Sequence, residues 1–238
     1  MISKLPKWAA DWTEKAGAIM SGMRILDVAY ISPNIKRIRF QGDISRMNFQ
    51  IGYAHVIRVS DTEFRNYTAS YHNADEGILD IIFHIHGNGA GSRYIDGLQP
   101  DDALRISIPR GKKMYEPSIK RQFIFGDETS LGLACSILPI LQKNKHEYQF
   151  YFELDDAHQN VPELLGLKNY TVFSKKNTFR NEQWVDELPV LNTKEWNTAN
   201  FILTGNAKSV QTFRKKLKEQ SSGNIASQGY WLEGKKGL

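Results

Sequence analysis

The feature that most constrains the fold is a change of texture near residue 120. From Arg24 to Ile108 the chain runs in short segments rich in β-branched and aromatic residues: Arg24–Ile31, Ile35–Phe40, Tyr53–Val59, Phe64–Ser70, Ile78–His86 and Ala103–Ile108. Turn chemistry separates several of them, at Ser32-Pro33-Asn34, at Asn73 to Gly77 and at Gln99-Pro100-Asp101-Asp102. Six short strands, with one helix over Ser92 to Leu98 before the last, predict a small antiparallel β-barrel. Beyond Arg121 the pattern alternates instead. Strands at Gln122–Phe125, Tyr148–Glu153, Tyr170–Phe173 and Asn200–Leu203 are interleaved with helices at Thr129–Leu141, near His158–Leu165 and at Lys208–Glu219. Alternation of that kind predicts a mostly parallel sheet covered by helices.

The expected architecture is therefore a two-domain β plus α/β chain. An amphipathic helix occupies residues 1–22, with Leu5, Trp8, Ala9, Trp12, Ala16 and Ile19 on one face. A barrel domain spans residues 23–118, and an α/β domain of nucleotide-binding type spans 119–238. The basic stretch from Arg110 to Arg121 reads as the linker between them. Ligands of an open α/β sheet bind beyond the carboxyl ends of its strands. Here those ends are Gly126-Asp127-Glu128-Thr129 and Thr204-Gly205-Asn206-Ala207.

Several classes of protein are disfavoured. No run of eighteen apolar residues is present, so no membrane insertion is expected. Charges are scattered through Met1 to Met23, which does not read as a secretory signal. Cys135 is the sole cysteine and suits a reducing, cytoplasmic compartment. Its apolar surroundings mark it as a small buried hydrophobe rather than a reactive thiol. The net charge of +5 favours anionic ligands weakly. With no strongly basic helix and no basic–aromatic platform, nucleic acid is not an expected partner. No nucleophile elbow brings Ser, His and Asp together.

Three clusters of residues carry chemical possibilities. Along Arg65-Asn66-Tyr67-Thr68-Ala69, Arg65 and Tyr67 share one strand face. An arginine fork pairs with a diphosphate, a tyrosine stacks on a flat ring, and Thr68 offers a hydroxyl to a ring nitrogen; a solvated arginine beside a cross-strand tyrosine would give the same pattern. His86-Gly87-Asn88-Gly89-Ala90-Gly91-Ser92 opens onto a helix, which makes either a glycine-rich turn or an anion site of main-chain donors. His84 and His86 lie two apart on a strand without a third ligand, so no metal site is expected. In Gly126-Asp127-Glu128-Thr129-Ser130 a helix cap and a contact with nucleotide hydroxyls are both open. Two carboxylates would repel phosphates, so no diphosphate is expected on them.

These pieces, in this order, resemble the siderophore-interacting protein family within the ferredoxin-reductase-like flavoproteins. The resemblance rests on Gly52-Tyr53-Ala54-His55-Val56, Arg65-Asn66-Tyr67-Thr68, Leu79 to Gly87, Gly89-Ala90-Gly91-Ser92-Arg93-Tyr94 and Pro109-Arg110-Gly111. It continues through Phe125 to Leu131, Thr204-Gly205-Asn206-Ala207 and Gly229-Tyr230-Trp231. It implies FAD in the barrel. Arg65 would hold the diphosphate, Tyr67 would pack on the isoalloxazine and Thr68 would lie near its reactive nitrogen, which makes Tyr67 and Thr68 the expected catalytic pair. Ala69, His84, His86, Gly89, Gly91 and Ser92 complete the expected cofactor site. The resemblance also implies NADPH or NADH as electron donor, near Asp127, Glu128, Thr129, Ser130, Gly205, Asn206, Ala207 and Trp231; some family members use a ferredoxin instead.

The implied reaction passes electrons through flavin to an anionic ferric siderophore, releasing ferrous iron. A flavin couples the two-electron donor to the one-electron acceptor. A flavin reductase with another acceptor, or a flavin- or siderophore-binding protein without turnover, are the alternatives. This chain departs from the family pattern at Ser70, where many relatives carry a second arginine, and at Ala90-Gly91, Asn206 and Leu232. Lys112, Lys113, Lys235 and Lys236, with Lys120 and Arg121, either form a docking surface for the anionic acceptor or are a solvated basic surface that aids solubility.

Overall fold

The structure is a computed structural model that describes residues 20–87 and 89–235. The amphipathic helix expected from Leu5 to Met20 lies outside the described residues, apart from Met20 itself. The chain divides into two compact units, Met1–Lys112 and Lys113–Leu238.

The first unit is antiparallel. Its strands are β1 (Met20–Ser32), β2 (Ile35–Gly42), β3 (Tyr53–Arg58), β4 (Phe64–Tyr67), β5 (Ala69–Asn73), β6 (Ile78–His84), β7 (Ala103–Ser107) and the short β8 (Arg110–Gly111). The hydrogen-bonded order is β4-β3-β7-β1-β2-β6-β5, with β8 paired to β3. The expected six strands become more because the segment Phe64–Ser70 is interrupted at Thr68, so that β4 and β5 fall at opposite edges of the sheet. Met20 to Gly22, assigned by sequence to the N-terminal segment, instead pair with Ser107, Ile106 and Arg105 of β7. Alternating residues supply the core: Met23 and Ile25 of β1, Ile38 and Phe40 of β2, Ile57 of β3, and Leu79, Ile81 and Phe83 of β6. One helix, α1 (Ala90–Gly97), sits between β6 and β7 and buries Ile95 in that core.

The second unit is a five-stranded parallel sheet. Its strands are β9 (Arg121–Gly126), β10 (Glu147–Leu154), β11 (Tyr170–Ser174), β12 (Asn200–Asn206) and β13 (Asn224–Trp231), in the order β11-β10-β9-β12-β13. The order reverses between β9 and β12, which is the switch point of a doubly wound sheet. All seven residues of β12 are buried, as a central parallel strand covered on both faces requires. Around the sheet lie α2 (Leu131–Lys143), α3 (Val161–Leu164), α4 (Glu182–Asp186), α5 (Pro189–Asn192) and α6 (Ala207–Gln220). An aromatic cluster of Phe123, Phe125, Phe179, Phe201 and Phe213 fills the core beneath α6. β13 was not expected from the sequence. Asn-Ile-Ala-Ser-Gln-Gly-Tyr-Trp lacks the apolar run of a central strand, and it lies at the sheet edge.

The stretch from Arg110 to Arg121 is not a free linker. Arg110 and Gly111 pair with Ala54 and Tyr53 of β3. Beyond Lys113, the carbonyl of buried Met114 accepts from Asn200 Nδ2 at 3.1 Å, and Gln122 Nε2 donates to Glu116 O at 2.9 Å and to Ile119 O at 2.6 Å. Each half is tied to its own unit by hydrogen bonds. Among the described residues, no helix is long and apolar enough to cross a membrane.

The β3–β7 seam carries a buried histidine. Only Ile57 and Ile106 pair directly there; His55 Nδ1 meets Ser107 O at 2.8 Å, and Val56 N donates to Ser107 Oγ at 2.8 Å. His55 has no exposed surface, and its Nε2 has no hydrogen-bond partner among the described residues. Burial outweighs the Ser107 contact and lowers its pKa to about 4. The folded state therefore binds the proton less tightly than the unfolded chain, where a histidine titrates near 6.5. Stability from this source is complete above that value and is lost as pH falls toward 4. We expect urea midpoints to fall steadily from pH 7 to pH 4 by the equivalent of about 3 kcal/mol, and His55→Gln to flatten that part of the profile.

Candidate functional site

In the barrel unit the sequence-predicted residues gather where β4 meets the start of α1. A methyl group on Gly91 would stand 3.0 Å from the Tyr67 hydroxyl and 3.1 Å from Arg65 Cγ. The glycine lets the first turn of α1 approach β4 without displacing either side chain. Tyr67 is held from below by Phe83, ring against edge at 4.7 Å, and burial pushes its hydroxyl up to about 12, so it stays protonated at any physiological pH. Arg65 donates to Phe64 O at 2.8 Å and to Glu63 Oε1 at 2.9 Å, and its side chain keeps about a quarter of its surface exposed. A guanidinium has more N–H groups than those two contacts use.

Among the described residues, no side chain caps the N-terminus of α1. Gly89 stands at the N-cap and supplies no side-chain oxygen. The first intrahelical bond runs from Arg93 N to Gly89 O at 3.0 Å, so the amides of Ala90, Gly91 and Ser92 precede it. The Ser92 hydroxyl is committed elsewhere: it accepts from His86 N at 3.1 Å and donates to His86 O at 2.9 Å. What Ser92 presents is its main chain. The His84 and His86 rings lie 5.2 Å apart and tilted by 44°, with His86 at the surface. Thr68 is half-buried at the β4–β5 break, Ala69 is buried beside it, and Ser70 points inward, its hydroxyl donating to Asp80 O at 3.0 Å. Aromatic face, guanidinium and helix amides together fit a flat ring carrying a diphosphate.

In the α/β unit a second group forms at the switch point. Asp127, at the end of β9, is buried and accepts from Thr129 N at 2.9 Å, from Thr129 Oγ1 at 2.5 Å and from Trp231 Nε1 at 2.6 Å. Burial, and then the neighbouring Glu128, raise its pKa. Glu128 turns away from it, accepting from Asp155 N at 2.8 Å and from Lys175 Nζ at 2.5 Å. Lys175 was not singled out from sequence, although it follows directly on β11. Burial opposes its charge, but Asp127 and Glu128 outweigh that and raise its pKa. Its ammonium lies 5.2 Å from the Trp231 ring centre, so the indole is held along its edge by Asp127 and over its face by Lys175.

Ser130 is buried and receives Thr204 Oγ1 at 2.8 Å. Asn206 caps α6 through Lys208 N and Ser209 N, and its buried Nδ2 has no hydrogen-bond partner among the described residues. Ala207 touches β13, where a methyl group on Gly229 would come within 2.8 Å of it. The structure thus brings Asp127, Thr129, Gly205 and Trp231 together, while Glu128 and Ser130 serve the interior. Of the predicted basic surface, Lys112, Lys113 and Lys235 are exposed and Lys236 lies outside the described residues. Lys120 and Arg121 both pair with Glu147, at 2.8 and 2.7 Å. Cys135 is only partly covered, but burial of its thiol pushes it up to about 12, which leaves no thiolate for chemistry.

Gly205 has φ +102°, and a methyl group there would stand 2.7 Å from the Asp127 carboxylate. Both the backbone and the contact therefore demand glycine. Gly205→Ala should lower the unfolding free energy by about 1–3 kcal/mol and change the Trp231 environment, read by urea titration and tryptophan fluorescence.

Residues 23–115 match the family model described as oxidoreductase FAD-binding domain. The chain is 24% identical over 178 residues to NADH-cytochrome b5 reductase 1 of Mycosarcoma maydis, a match covering 70% of this chain and 53% of that protein. The chain thus spans about half the length of that curated relative. The siderophore-interacting protein SipS from Aeromonas hydrophila superposes with a TM-score of 0.74 at 18% identity, over 92% of this chain and 93% of that one. A phthalate dioxygenase reductase superposes with a TM-score of 0.72 at 15% identity, over 91% of this chain and 69% of the other. The fold is the ferredoxin-reductase-like one, and its barrel unit is similar to the oxidoreductase FAD-binding domain over residues 23–115.

Proposed function

We propose that this protein is a flavin-dependent reductase that draws electrons from NADH or NADPH, or from a ferredoxin, and delivers them to an anionic ferric siderophore. The observation that carries the reading is the close approach of Gly91 to Tyr67 and Arg65 at an uncapped helix end. The FAD diphosphate would lie against the amides of Ala90, Gly91 and Ser92 with Arg65 as its counter-charge. Tyr67, buttressed by Phe83, would present its ring to the isoalloxazine, and Thr68 would place its hydroxyl near the reactive edge. When bound, the flavin accepts two electrons together and releases them singly, which suits a ferric acceptor.

In the α/β unit, Asp127, Thr129, Gly205 and Trp231 would receive the nicotinamide nucleotide at the switch point. The likeness to an NADH-cytochrome b5 reductase supports a nicotinamide donor, and the likeness to siderophore-interacting proteins supports the acceptor. One observation favours a second reading, a flavin reductase with another acceptor. Glu147 pairs with both Lys120 and Arg121 and offsets one of their two charges, which weakens the basic surface that would attract an anionic complex.

The purified protein should take up FAD, and anaerobic NADH or NADPH should bleach its visible spectrum. A folded protein that binds no flavin would remove the reading. Arg65→Ala should weaken FAD about ten- to a hundred-fold while the circular dichroism spectrum is retained. Reoxidation by an anionic ferric complex should slow with added salt and outpace that by a cationic one. Equal rates insensitive to salt would favour the second reading.

A further inference from the structure

The far end of α1 holds a cation that the reading above does not use. Lys36, on β2, has no exposed surface. Its ammonium donates to the main-chain carbonyls of Ile95 at 2.9 Å, Asp96 at 2.8 Å and Leu98 at 2.9 Å. These carbonyls close the helix, where main-chain donors run out; the Ile95 carbonyl accepts from Leu98 N at 3.3 Å as well as from the ammonium. An ammonium has three donors and no acceptor, so three carbonyls saturate it and require the charged form. Tyr30 shields the site, its ring centre 5.5 Å from Nζ and its hydroxyl bonded to Asp96 Oδ1 at 2.6 Å. An exposed lysine would satisfy a helix C-terminus equally well, and burying a whole ammonium carries a heavy desolvation penalty. The buried charge therefore has a role beyond packing.

We propose that Lys36 is a positioning residue for the FAD diphosphate, fixing the axis of α1 and standing as a buried positive charge behind it. The inference rests on the reading that places the diphosphate at the helix N-terminus. Eight helical residues separate the two ends by about 12 Å. With each charge about 3 Å beyond its own helix end, the separation is about 18 Å, and at an effective dielectric of about 20 the attraction changes binding about five-fold. Asp96 and Asp102 lie near the same end, but both are exposed and are screened by solvent. A mispositioned first turn would add to the loss, because Gly91 leaves little room over Tyr67 and Arg65.

The test compares FAD with riboflavin, which lacks phosphate, on the wild type and on Lys36→Met, reading dissociation constants from flavin fluorescence. If the wild type does not prefer FAD, the diphosphate reading itself fails, and this inference with it. If the wild type prefers FAD, Lys36→Met should weaken FAD about five-fold or more and riboflavin by less than about two-fold. Unchanged FAD affinity in a folded variant, or equal weakening of both ligands, would overturn the positioning role. Should the variant not fold, hydrogen exchange on the wild type decides the matter. Coupling is reciprocal, so saturating FAD should slow exchange at the closing turn of α1, where Leu98 N is bonded to Ile95 O, and riboflavin should not. Protection by both ligands alike, or by neither, would overturn it.

Discussion

A sheet whose two edge strands follow one another directly in the chain must bring its edges together at the residue that joins them. Here that residue is Thr68, between β4 and β5. Open edges invite pairing with other chains, and an antiparallel sheet of this size removes the hazard by curling. Closure at Thr68 also fixes the site. Arg65 and Tyr67 are paired with Ile57 and His55 of β3 up to the last residue of β4, and Thr68 follows at the break itself. α1 then packs its first turn on β4 through Gly91. The candidate residues thus stand on the edge strand β4, held on one side by β3, with the first turn of α1 laid against them.

Much of this was legible in the sequence because two periodicities are written plainly into it. Alternation from Arg24 to Ile108 gave the barrel strands, and the strand-then-helix rhythm after Arg121 gave the parallel sheet. The misses share a cause, which is that edge elements lack the apolar signal of central ones. β13 is polar for most of its length, and β8 has two residues. The break at Thr68 left no local mark, since Phe64 to Ser70 reads as one continuous strand. The basic stretch from Arg110 to Arg121 looked unpatterned because its order comes from partners distant in sequence. Asn200, for example, reaches back to Met114.

At the site, residue type was more legible than residue partnership. Asp127 stood out by its place after the first parallel strand, and the structure joins it to Trp231, far along the chain. The opposite orientation of Glu128 could not be read from adjacency. It follows from Lys175 and the Asp155 amide drawing its carboxylate inward. Lysines read as surface residues, and both Lys36 and Lys175 defy that rule. One is buried outright and the other is clasped between carboxylates and an indole. No local pattern announces a buried lysine, because its acceptors are carbonyls and carboxylates contributed by other elements.

The two units have opposite electrostatic characters at their candidate sites. The barrel offers a guanidinium, three leading helix amides and, behind them, a buried ammonium. The sheet ends of the α/β unit hold Asp127, Glu128 and Glu153, all buried, with Asp155 at the surface and Lys175 among them. Burial raises the pKa of Asp127 and Glu153, and Lys175 draws charge back out of the group. Such a floor would repel phosphate, as the paired acidic residues suggested, while accepting hydroxyl and amide donors. A nucleotide in that crevice would have to carry its phosphates away from the end of β9. The N-terminus of α6 lies beside the strand ends, where Asn206 already occupies the amides of Lys208 and Ser209. The contrast is physical: the groups that suit phosphate are concentrated in the barrel, and those that suit uncharged polar donors at the switch point of the sheet.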